Sequence, residues 1–288
     1  MCRPGRCGSS GAGGMSHPGG LRRHLGMRIA IVGGTGTLGS HVAAELRSRG
    51  HEVRVLSRSA PDYPVDLLTG AGLGPALEGC DAVVDASNNA GRQAAAVLVE
   101  GTRRLLDAEQ GAGVGHHVCV SIVGCDQLPV GYYAVKTGQE RLVEQGPVPW
   151  TVVRATQFHE YIANVFGAAA RWRALPAPRA LLQPVACAEV ARYVADVAER
   201  PARRAGTSIA GPEVTELRTL ARTWRSVTGR RLALIPVRVP GRVGRALRSG
   251  TLTTRQAEMT GHVPFAAWME AEAGWTVSCG PGRAPGGR

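Results

Sequence analysis

The fold of this chain is decided by the stretch Met27-Arg28-Ile29-Ala30-Ile31-Val32-Gly33-Gly34-Thr35-Gly36-Thr37-Leu38-Gly39. Its first six residues are nearly all apolar, which is typical of a strand covered on both faces. After the glycines, Leu38, Val42 and Leu46 recur every four positions, and Gly50 stands where a helix would end. The stretch therefore predicts a strand, a tight turn and an amphipathic helix in direct succession.

Segments of both kinds alternate through the first half of the chain. After the opening unit, strands are predicted at Val53–Ser57, Pro64–Leu67, Asp81–Ala86, His116–Val123 and Trp150–Arg154, and helices around Ala94–Leu106 and Tyr132–Glu144. Strands that alternate with helices are joined by right-handed parallel crossovers. We therefore predict an α/β protein with a doubly wound parallel Rossmann sheet, whose main domain spans residues 27–158.

The second half of the chain is less regular. Helices are predicted at Glu160–Arg173, Cys187–Glu199, Val214–Val227 and Pro264–Ala273, with extended segments at Gln183–Ala186, Thr207–Ala210 and Leu232–Val239. We assign residues 159–275 to a smaller, mixed C-terminal lobe that closes over a substrate and returns some strands to the main sheet. Trp172, Phe158, His159 and Tyr161 are candidates to line its pocket, although large apolar side chains at helical spacing are more often core.

Both ends of the chain differ in composition from the rest. Residues 1–26 are rich in Gly, Arg and Ser and carry no periodic apolar positions, so we predict that they are disordered. A misplaced start codon explains them equally well, because Met15 and Met27 follow. We also predict that residues 276–288, rich in Gly, Pro and Arg, are loose.

Charge and cysteine content exclude several classes of protein. The formal net charge is +12, but the basic residues are interspersed with few aromatics, so no nucleic-acid partner is expected. No apolar run is long enough to span a bilayer, so we expect no membrane partner. Seven scattered cysteines without a paired motif indicate a reduced, cytoplasmic protein with no metal site. A homodimer is compatible with the sequence, which does not fix the oligomeric state.

The glycine-rich turn fits two phosphate-binding patterns, GxxGxxG through Gly33 and GxGxxG through Gly34, both ending at Gly39. Missing side chains let backbone N–H groups approach a pyrophosphate, and the positive end of the helix dipole favours that charge. The alternative is an ordinary glycine-rich turn. We favour a dinucleotide site, for which the predicted contacts are Gly33, Thr35, Gly36, Thr37, Leu38 and Gly39.

The end of the second predicted strand bears on the choice of coenzyme. An acidic residue there would bind the ribose 2′-hydroxyl of NAD, but the residues are Ser57, Arg58 and Ser59. An arginine can pair with the 2′-phosphate of NADP. We therefore predict NADP(H) rather than NAD(H), against the alternative that Arg58 is an ordinary surface charge.

A candidate catalytic group follows the fifth predicted strand. Tyr132 and Lys136 are four residues apart, so on a helix they share a face, and Ser121 lies near the carboxyl end of that strand. A neighbouring ammonium is expected to lower the pKa of the phenol from about 10. Lys136 would also hold the nicotinamide ribose, and Ser121 would polarise a substrate carbonyl. Tyr133 is a rival for the role of acid.

The lysine at this position is notable because it is the only one in the chain, and the other basic residues among the 34 are arginines. Arginine is planar and bulkier, so it would not replace a compact ammonium against a ribose and a phenol. The alternative, in which Tyr132 merely packs and Lys136 is solvated, remains open. The use of lysine at this position and its four-residue spacing from Tyr132 together favour a functional role for Tyr132 and Lys136.

These motifs resemble the short-chain dehydrogenase/reductase superfamily, and more narrowly its atypical, NmrA-like NAD(P)-binding branch. The resemblance runs from Met27 to about Val190 and rests on the following stretches: Ile31–Gly39, Val55–Arg58, Leu77–Asp85, Tyr132–Lys136, Trp150–Phe158 and Gln183–Ala191. It implies that Asp66 lies near the adenine and that the turn at Ser87, Asn88 and Asn89 lies beside the coenzyme. The extra catalytic asparagine of typical members has no assignable counterpart.

The resemblance implies an NADPH-dependent oxidoreductase that transfers a hydride to a small organic carbonyl, quinone or enone. Tyr132 would then supply the proton, Lys136 would adjust the pKa of Tyr132, and Ser121 would orient the acceptor. Two alternatives stay open. One is a sensor that binds NADP(H) without turnover, and the other is an epimerase or dehydratase that retains its cofactor.

Overall fold

The structure of the protein is a computed structural model that describes residues 26–278, with side chains as far as Ala273. The predicted disorder of residues 1–26 falls almost entirely outside this range, as does the tail from Cys279 onward. The prediction of a loose end at residue 276 differs from the structure, in which the last helix continues to Ser278.

Eight parallel strands form the central sheet, and two pairs of short strands lie outside it. In chain order the strands are β1 Arg28–Val32, β2 Glu52–Ser57, β3 Tyr63–Pro64, β4 Ala82–Asp85, β5 His116–Ile122, β6 Trp150–Ala155, β7 Ala174–Ala177, β8 Leu181–Leu182, β9 Ala205–Ala210, β10 Thr215–Glu216, β11 Ala233–Pro236 and β12 Met259–Thr260. The order across the main sheet is β12-β9-β6-β5-β4-β1-β2-β3. From β1 the chain adds β2 and β3 on one side, and it then adds β4, β5 and β6 on the other side. The strand order therefore reverses between β1 and β4, the position at which doubly wound sheets bind their ligands.

The helices are α1 Thr37–Ser48, α2 Leu73–Leu77, α3 Gly101–Ala112, α4 Gly131–Gln145, α5 His159–Ala170, α6 Cys187–Ala198, α7 Leu217–Thr228, α8 Gly241–Ser249 and α9 Phe265–Ser278. A π-helical turn at Ala96–Glu100 leads directly into α3. The predicted α/β fold with a doubly wound parallel sheet is confirmed.

Both faces of the sheet are buried, which explains why its strands are almost wholly apolar. Ile29 and Ile31 pack with α1 and α6 on one face. Ala30 and Val32 pack with α2, α3 and α4 on the other. Because successive side chains of β1 point to opposite faces, this single strand contributes to two separate cores.

A third core lies in the second half of the chain. Phe166 of α5, Trp224 of α7 and Met269 of α9 pack together there. Two small sheets flank this core, a parallel pair of β7 with β11 and an antiparallel pair of β8 with β10. In contrast, α6, β9 and β12 belong to the main sheet and its cover, so strands do return from the second half as predicted.

Several predicted boundaries differ from the structure. The third strand is Tyr63–Pro64 rather than Pro64–Leu67, because Asp66 turns back to pair with Ala71. The segment Gln183–Ala186 forms only an isolated bridge through Val185. The helix predicted from Val214 begins at Leu217, since Thr215–Glu216 pairs with β8. The sequence pattern does not predict α2, α8, β7, β8, β10 or β12.

Candidate active site

A cleft of about 980 Å³ follows the carboxyl ends of the central strands. It runs from Arg58, just after β2, past the glycine-rich loop after β1 and the loop after β4, to Gln157 after β6. All of the predicted catalytic and coenzyme-binding residues except Gly39 line it: Gly33, Thr35, Gly36, Thr37, Leu38, Arg58, Asp66, Ser87, Asn88, Ser121, Tyr132 and Lys136. Residues that are far apart in sequence therefore share one site.

The glycine-rich loop is built from close backbone contacts. Gly33 has a φ of 73°, and a Cβ atom there would lie 2.9 Å from the carbonyl oxygen of Ala86. Gly39 was predicted to contact the coenzyme, but it does not line the cleft. A Cβ at Gly39 would lie 2.3 Å from the carbonyl oxygen of Gly33, so this glycine lets α1 pack against the loop instead. Its contribution to the site is indirect.

The loop and its surroundings fit a dinucleotide. Helix α1 begins directly after Gly36 with no side-chain cap and no acidic residue in its first turn. Its N–H groups and positive dipole end therefore face the cleft without a competing anion. Beside the loop, the buried hydroxyl of Ser87 has no hydrogen-bond partner among the described residues. Such a group needs a partner, and a ligand hydroxyl in the cleft would supply one.

The β2 end of the cleft holds the only exposed cation among the described residues that line it. Arg58 is exposed and forms no ion pair within the described part of the chain, and Ser57 and Ser59 flank it. Asp66 also lines this side, where one carboxylate oxygen accepts a hydrogen bond of 3.0 Å from the Leu68 N–H. That bond fixes the turn after β3 and leaves the second oxygen available to a ligand.

Helix α4 carries Tyr132 and Lys136 on one face, as predicted. The Tyr132 hydroxyl donates a hydrogen bond of 2.6 Å to the side-chain oxygen of Asn88. Asn88 was predicted to contact the coenzyme, and the structure shows that it also reaches across the cleft to the tyrosine. The bond between Asn88 and Tyr132 therefore connects the loop after β4 to α4.

The acidity of Tyr132 differs from the expectation. Burial, together with the neighbouring phenols of Tyr133 and Tyr161, raises the pKa of Tyr132 to about 12. We had expected Lys136 to lower this pKa, but the ammonium is engaged elsewhere and does not act on the phenol. Tyr132 is therefore a protonated phenol throughout the neutral range.

Lys136 is held by a buried polar network that the sequence reading missed. Its side chain is 3% exposed, and Nζ donates to the carbonyl oxygen of Val120 at 2.7 Å and to Oε1 of Gln139 at 2.6 Å. Gln139 Nε2 in turn donates to the buried carboxylate of Asp85 at 2.9 Å. Two of the three ammonium donors are thus committed, which leaves one for a ribose hydroxyl.

Signals for this network were present in the sequence. Asp85 is a charged residue at the end of an otherwise apolar strand, and buried charges require partners. Gln139 lies three residues after Lys136, on the same face of α4. The partner of a buried charge cannot be identified from one sequence, because the pairing between β4 and α4 depends on the fold.

Ser121 lies at the wall of the cleft, but its hydroxyl is shared with other groups. Its Oγ is 3.8 Å from the Sγ atom of Cys125. Cys125 Sγ in turn donates to Oε1 of Glu140 at 3.4 Å. Burial opposes ionisation of Glu140, yet hydrogen bonds, those from Arg154 foremost, outweigh it and lower the pKa of that carboxyl. Ser121 is therefore connected to the Glu140–Arg154 pair through Cys125.

The remaining candidates separate into two groups. Tyr133, Phe158 and Tyr161 line the cleft at its β6 end. Trp172 is 85% exposed and lies outside the cleft. His159 is buried, and its Nε2 is 2.9 Å from the Val263 carbonyl oxygen. Trp172 and His159 therefore do not belong to the pocket, contrary to the prediction.

Two further features are absent from the described residues. Within residues 26–278, no helix is both long enough and apolar enough to cross a bilayer. The same part of the chain contains no group of three or more His, Cys, Asp or Glu side chains arranged to hold a metal ion.

Curated relatives match one half of the chain. The photosystem II assembly factor Ycf39 of Trieres chinensis is 30% identical over 149 residues, which are 46% of this chain and 47% of that protein. The 3-beta-hydroxysteroid dehydrogenase of Mycolicibacterium neoaurum is 32% identical over 143 residues, 42% of this chain and 38% of that protein. The match therefore spans about half the length of these relatives or less.

Solved structures share the fold at low sequence identity. The UDP-glucose 4-epimerase of Thermotoga maritima has a TM-score of 0.69 at 15% identity, covering 88% of this chain and 99% of that one. The NADPH-dependent quinone oxidoreductase of Escherichia coli, complexed with NADPH, has a TM-score of 0.67 at 18% identity, covering 85% and 99%. A sequence model of the NAD(P)H-binding family matches residues 33–201. The chain accordingly belongs to the NAD(P)H-binding family.

Proposed function

We propose that this protein is an NADPH-dependent oxidoreductase that reduces a small organic carbonyl, quinone or enone. The observation that carries the proposal is the position of Tyr132 and Lys136, which open from one face of α4 into the cleft that also holds the glycine-rich loop. A proton donor and a buried cation are thus placed beside the predicted coenzyme site.

The cleft residues have separate tasks in this proposal. The N-terminus of α1 and the loop residues Gly33–Leu38 would hold the pyrophosphate, and Ser87 with Lys136 would bind the ribose next to the nicotinamide. When bound, NADPH supplies the hydride. Tyr132, protonated because burial raises its pKa to about 12, would donate its proton to the acceptor oxygen as charge develops there.

Asn88 and Ser121 would act on the donor and the acceptor. The Tyr132 hydroxyl is oriented by its bond to Asn88, and this bond must be exchanged for one to the acceptor during reaction. Ser121 also lines the cleft and would donate a second hydrogen bond to the same acceptor oxygen. Two donors aimed at one oxygen would stabilise its negative charge in the transition state.

A preference for NADPH is part of the proposal. It is supported by the free guanidinium of Arg58 at the end of β2, by the adjacent hydroxyls of Ser57 and Ser59, and by the lack of an acidic residue at these three positions. An acid there would bind the 2′-hydroxyl of NAD and repel the phosphate of NADP.

The test compares two neighbouring tyrosines in the full-length protein. NADPH oxidation is measured against a panel of quinones, enones and ketones, with Tyr132→Phe and Tyr133→Phe as matched variants. We expect Tyr132→Phe to lower kcat by about 100-fold or more, the usual contribution of a general acid. NADPH affinity should stay nearly unchanged in both variants, and equal turnover by Tyr132→Phe would refute its role.

A non-catalytic NADP(H) sensor is the second candidate. It is favoured by the hydrogen bond that already engages the Tyr132 hydroxyl, and by the curated relative described as an assembly factor. Tight NADPH binding without oxidation by any acceptor in the panel would support this candidate over the first.

A further inference from the structure

The β6 end of the cleft, opposite Arg58, is where an acceptor would sit beside Tyr132. We call it the acceptor end. Its walls come from α4, α5 and the segments after β5 and β6, and its lining residues are Ile122, Tyr132, Tyr133, Gln157, Phe158, Tyr161 and Asn164. It is rich in rings, and Tyr132 and Tyr133 lie with ring centroids 6.1 Å apart.

Charged side chains are missing from this end. Of the described residues that line the cleft, only Arg58, Asp66 and Lys136 carry a formal charge at neutral pH. Arg58 and Asp66 lie at the β2 and β3 end, and the ammonium of Lys136 is bonded to Val120 and Gln139. Among the described residues, no cation at the acceptor end is therefore free to pair with an anionic acceptor.

Two ionisable residues at the start of α5 face away from this end. Both carboxylate oxygens of Glu160 accept the Cys187 N–H, at 3.1 and 3.2 Å. His159 is bonded to the Val263 carbonyl, and burial lowers its pKa, so the ring is neutral at pH 7. The start of α5 thus presents Phe158 and Tyr161 to the cleft and turns its titratable groups elsewhere.

These placements have an energetic consequence for an acceptor. A carboxylate, sulfonate or phosphate entering the acceptor end would lose part of its hydration and gain no ion pair. An uncharged ring loses less hydration and gains contact with the aromatic walls. Gln157 and Asn164 offer hydrogen bonds to neutral oxygens.

We infer that the acceptor end takes an uncharged, ring-bearing carbonyl or quinone and discriminates against acceptors with an anionic group, nucleotide sugars included. The inference rests on the proposed oxidoreductase function. For a quinone, NADPH transfers a hydride, which is one proton with two electrons, and Tyr132 transfers a second proton that solvent then restores, giving hydroquinone and NADP⁺.

The experiment uses a matched pair of acceptors, 1,2-naphthoquinone and its 4-sulfonate, with the full-length protein and NADPH. We expect kcat/KM for the sulfonate to be lower than for the neutral quinone by about tenfold or more. The difference should lie in KM rather than in kcat. In addition, Asn164→Arg places a cation at the acceptor end and should reduce this discrimination by about tenfold. The control is Val165→Arg, which adds the same charge at an exposed position of α5 that does not line the cleft and should leave the discrimination unchanged.

Binding to the NADP⁺-saturated protein, measured by calorimetry, separates failure of this inference from failure of the proposed function. If the neutral quinone binds more tightly but neither acceptor is reduced, the oxidoreductase proposal fails and the inference about the acceptor end stands. Equal or tighter binding of the sulfonate, or binding of neither compound, overturns the inference. Preferred turnover of the sulfonate overturns it while leaving the oxidoreductase proposal intact.

Discussion

At the scale of single residues, Lys136 depends on a side chain that touches no ligand. Gln139 accepts from its ammonium and donates to Asp85, so it separates two buried charges by one amide. Gln139→Leu should therefore lower the free energy of unfolding by about 2–4 kcal/mol, because it leaves both groups short of a partner. It should also weaken NADPH binding, because Lys136 is no longer held toward the ribose.

Urea unfolding and a fluorescence titration with NADPH measure the two effects of Gln139→Leu. Gln110→Leu on the exposed face of α3 is the matched control. It should change the free energy of unfolding and the NADPH affinity only slightly. If Gln139→Leu lowers the free energy of unfolding by less than about 0.5 kcal/mol, the range of surface substitutions, the network does not support Lys136.

Arg58 gives a prediction about coenzyme choice. Because its guanidinium is free and adjoins the cleft, Arg58→Gln should weaken NADPH binding by about 10- to 100-fold, the usual range for a charge-assisted hydrogen bond to phosphate. NADH binding should change little. Titration of both coenzymes measures this, with Arg141→Gln on exposed α4 surface as a control. Equal loss for NADPH and NADH would contradict a specific contact with the 2′-phosphate.

The residue scale also shows which parts of the site one sequence can reveal. The positions of Tyr132 and Lys136 follow from a four-residue step on a helix, and Gly33 and Gly36 follow from a local motif, so short-range spacing sufficed. The raised pKa of Tyr132 did not follow, because it depends on Tyr161 from another helix and on where Lys136 points. The same limit hid the bonds of Asn88 and Asp85.

At the scale of elements, β5 carries a pH-dependent contribution to stability. Burial, assisted by the neighbouring His117, lowers the pKa of His116 to about 4, and its Nε2 lies 2.9 Å from Thr151 Oγ1 of β6. Since the folded pKa lies below the unfolded value of about 6.5, this stability is fully present above pH 6.5. It is lost as the pH falls toward 4, by at most about 1.4 kcal/mol per pH unit.

Thermal unfolding between pH 7 and 4 tests the role of His116. Other groups titrate in the same interval, so the comparison is with His116→Asn, which removes the titration while keeping a hydrogen-bonding side chain. The variant should lose less stability than the wild type over this interval. Parallel curves for the two proteins would show that His116 does not account for the loss.

Elements of the main sheet were predicted more accurately than those of the lobe. The strand β1 and helix α1 are long, regular and bounded by glycine, so local pattern fixes them. In contrast, β8 and β10 have two residues each and exist only because they pair with one another. Helix α8 is arginine-rich with few apolar positions, so its pattern reads as a loop until Ala246 packs against Leu128 and Leu252.

At the scale of the whole molecule, the two halves of the chain share a core, which bears on the predicted boundary at residue 158. Val190 and Val194 of α6 are fully buried against the face of the sheet that also holds Ile29 and Ile31. Arg49, at the end of α1, bridges to Asp196 at 2.7 Å and to Glu199 at 3.0 Å. The coenzyme half therefore depends on α6 to cover one face of its sheet.

A fragment of residues 26–158 should consequently fail to fold cooperatively. Without α6 and β9, it would expose an apolar sheet face and the hydrogen-bonding edge of β6, both of which favour aggregation. We expect a broad thermal transition, binding of a hydrophobic dye and no measurable affinity for NADPH, whereas the full chain should melt sharply and bind. A sharp melt together with NADPH binding by the fragment would mean that residues 26–158 form an independent domain, and that α6 only covers a sheet that is already stable.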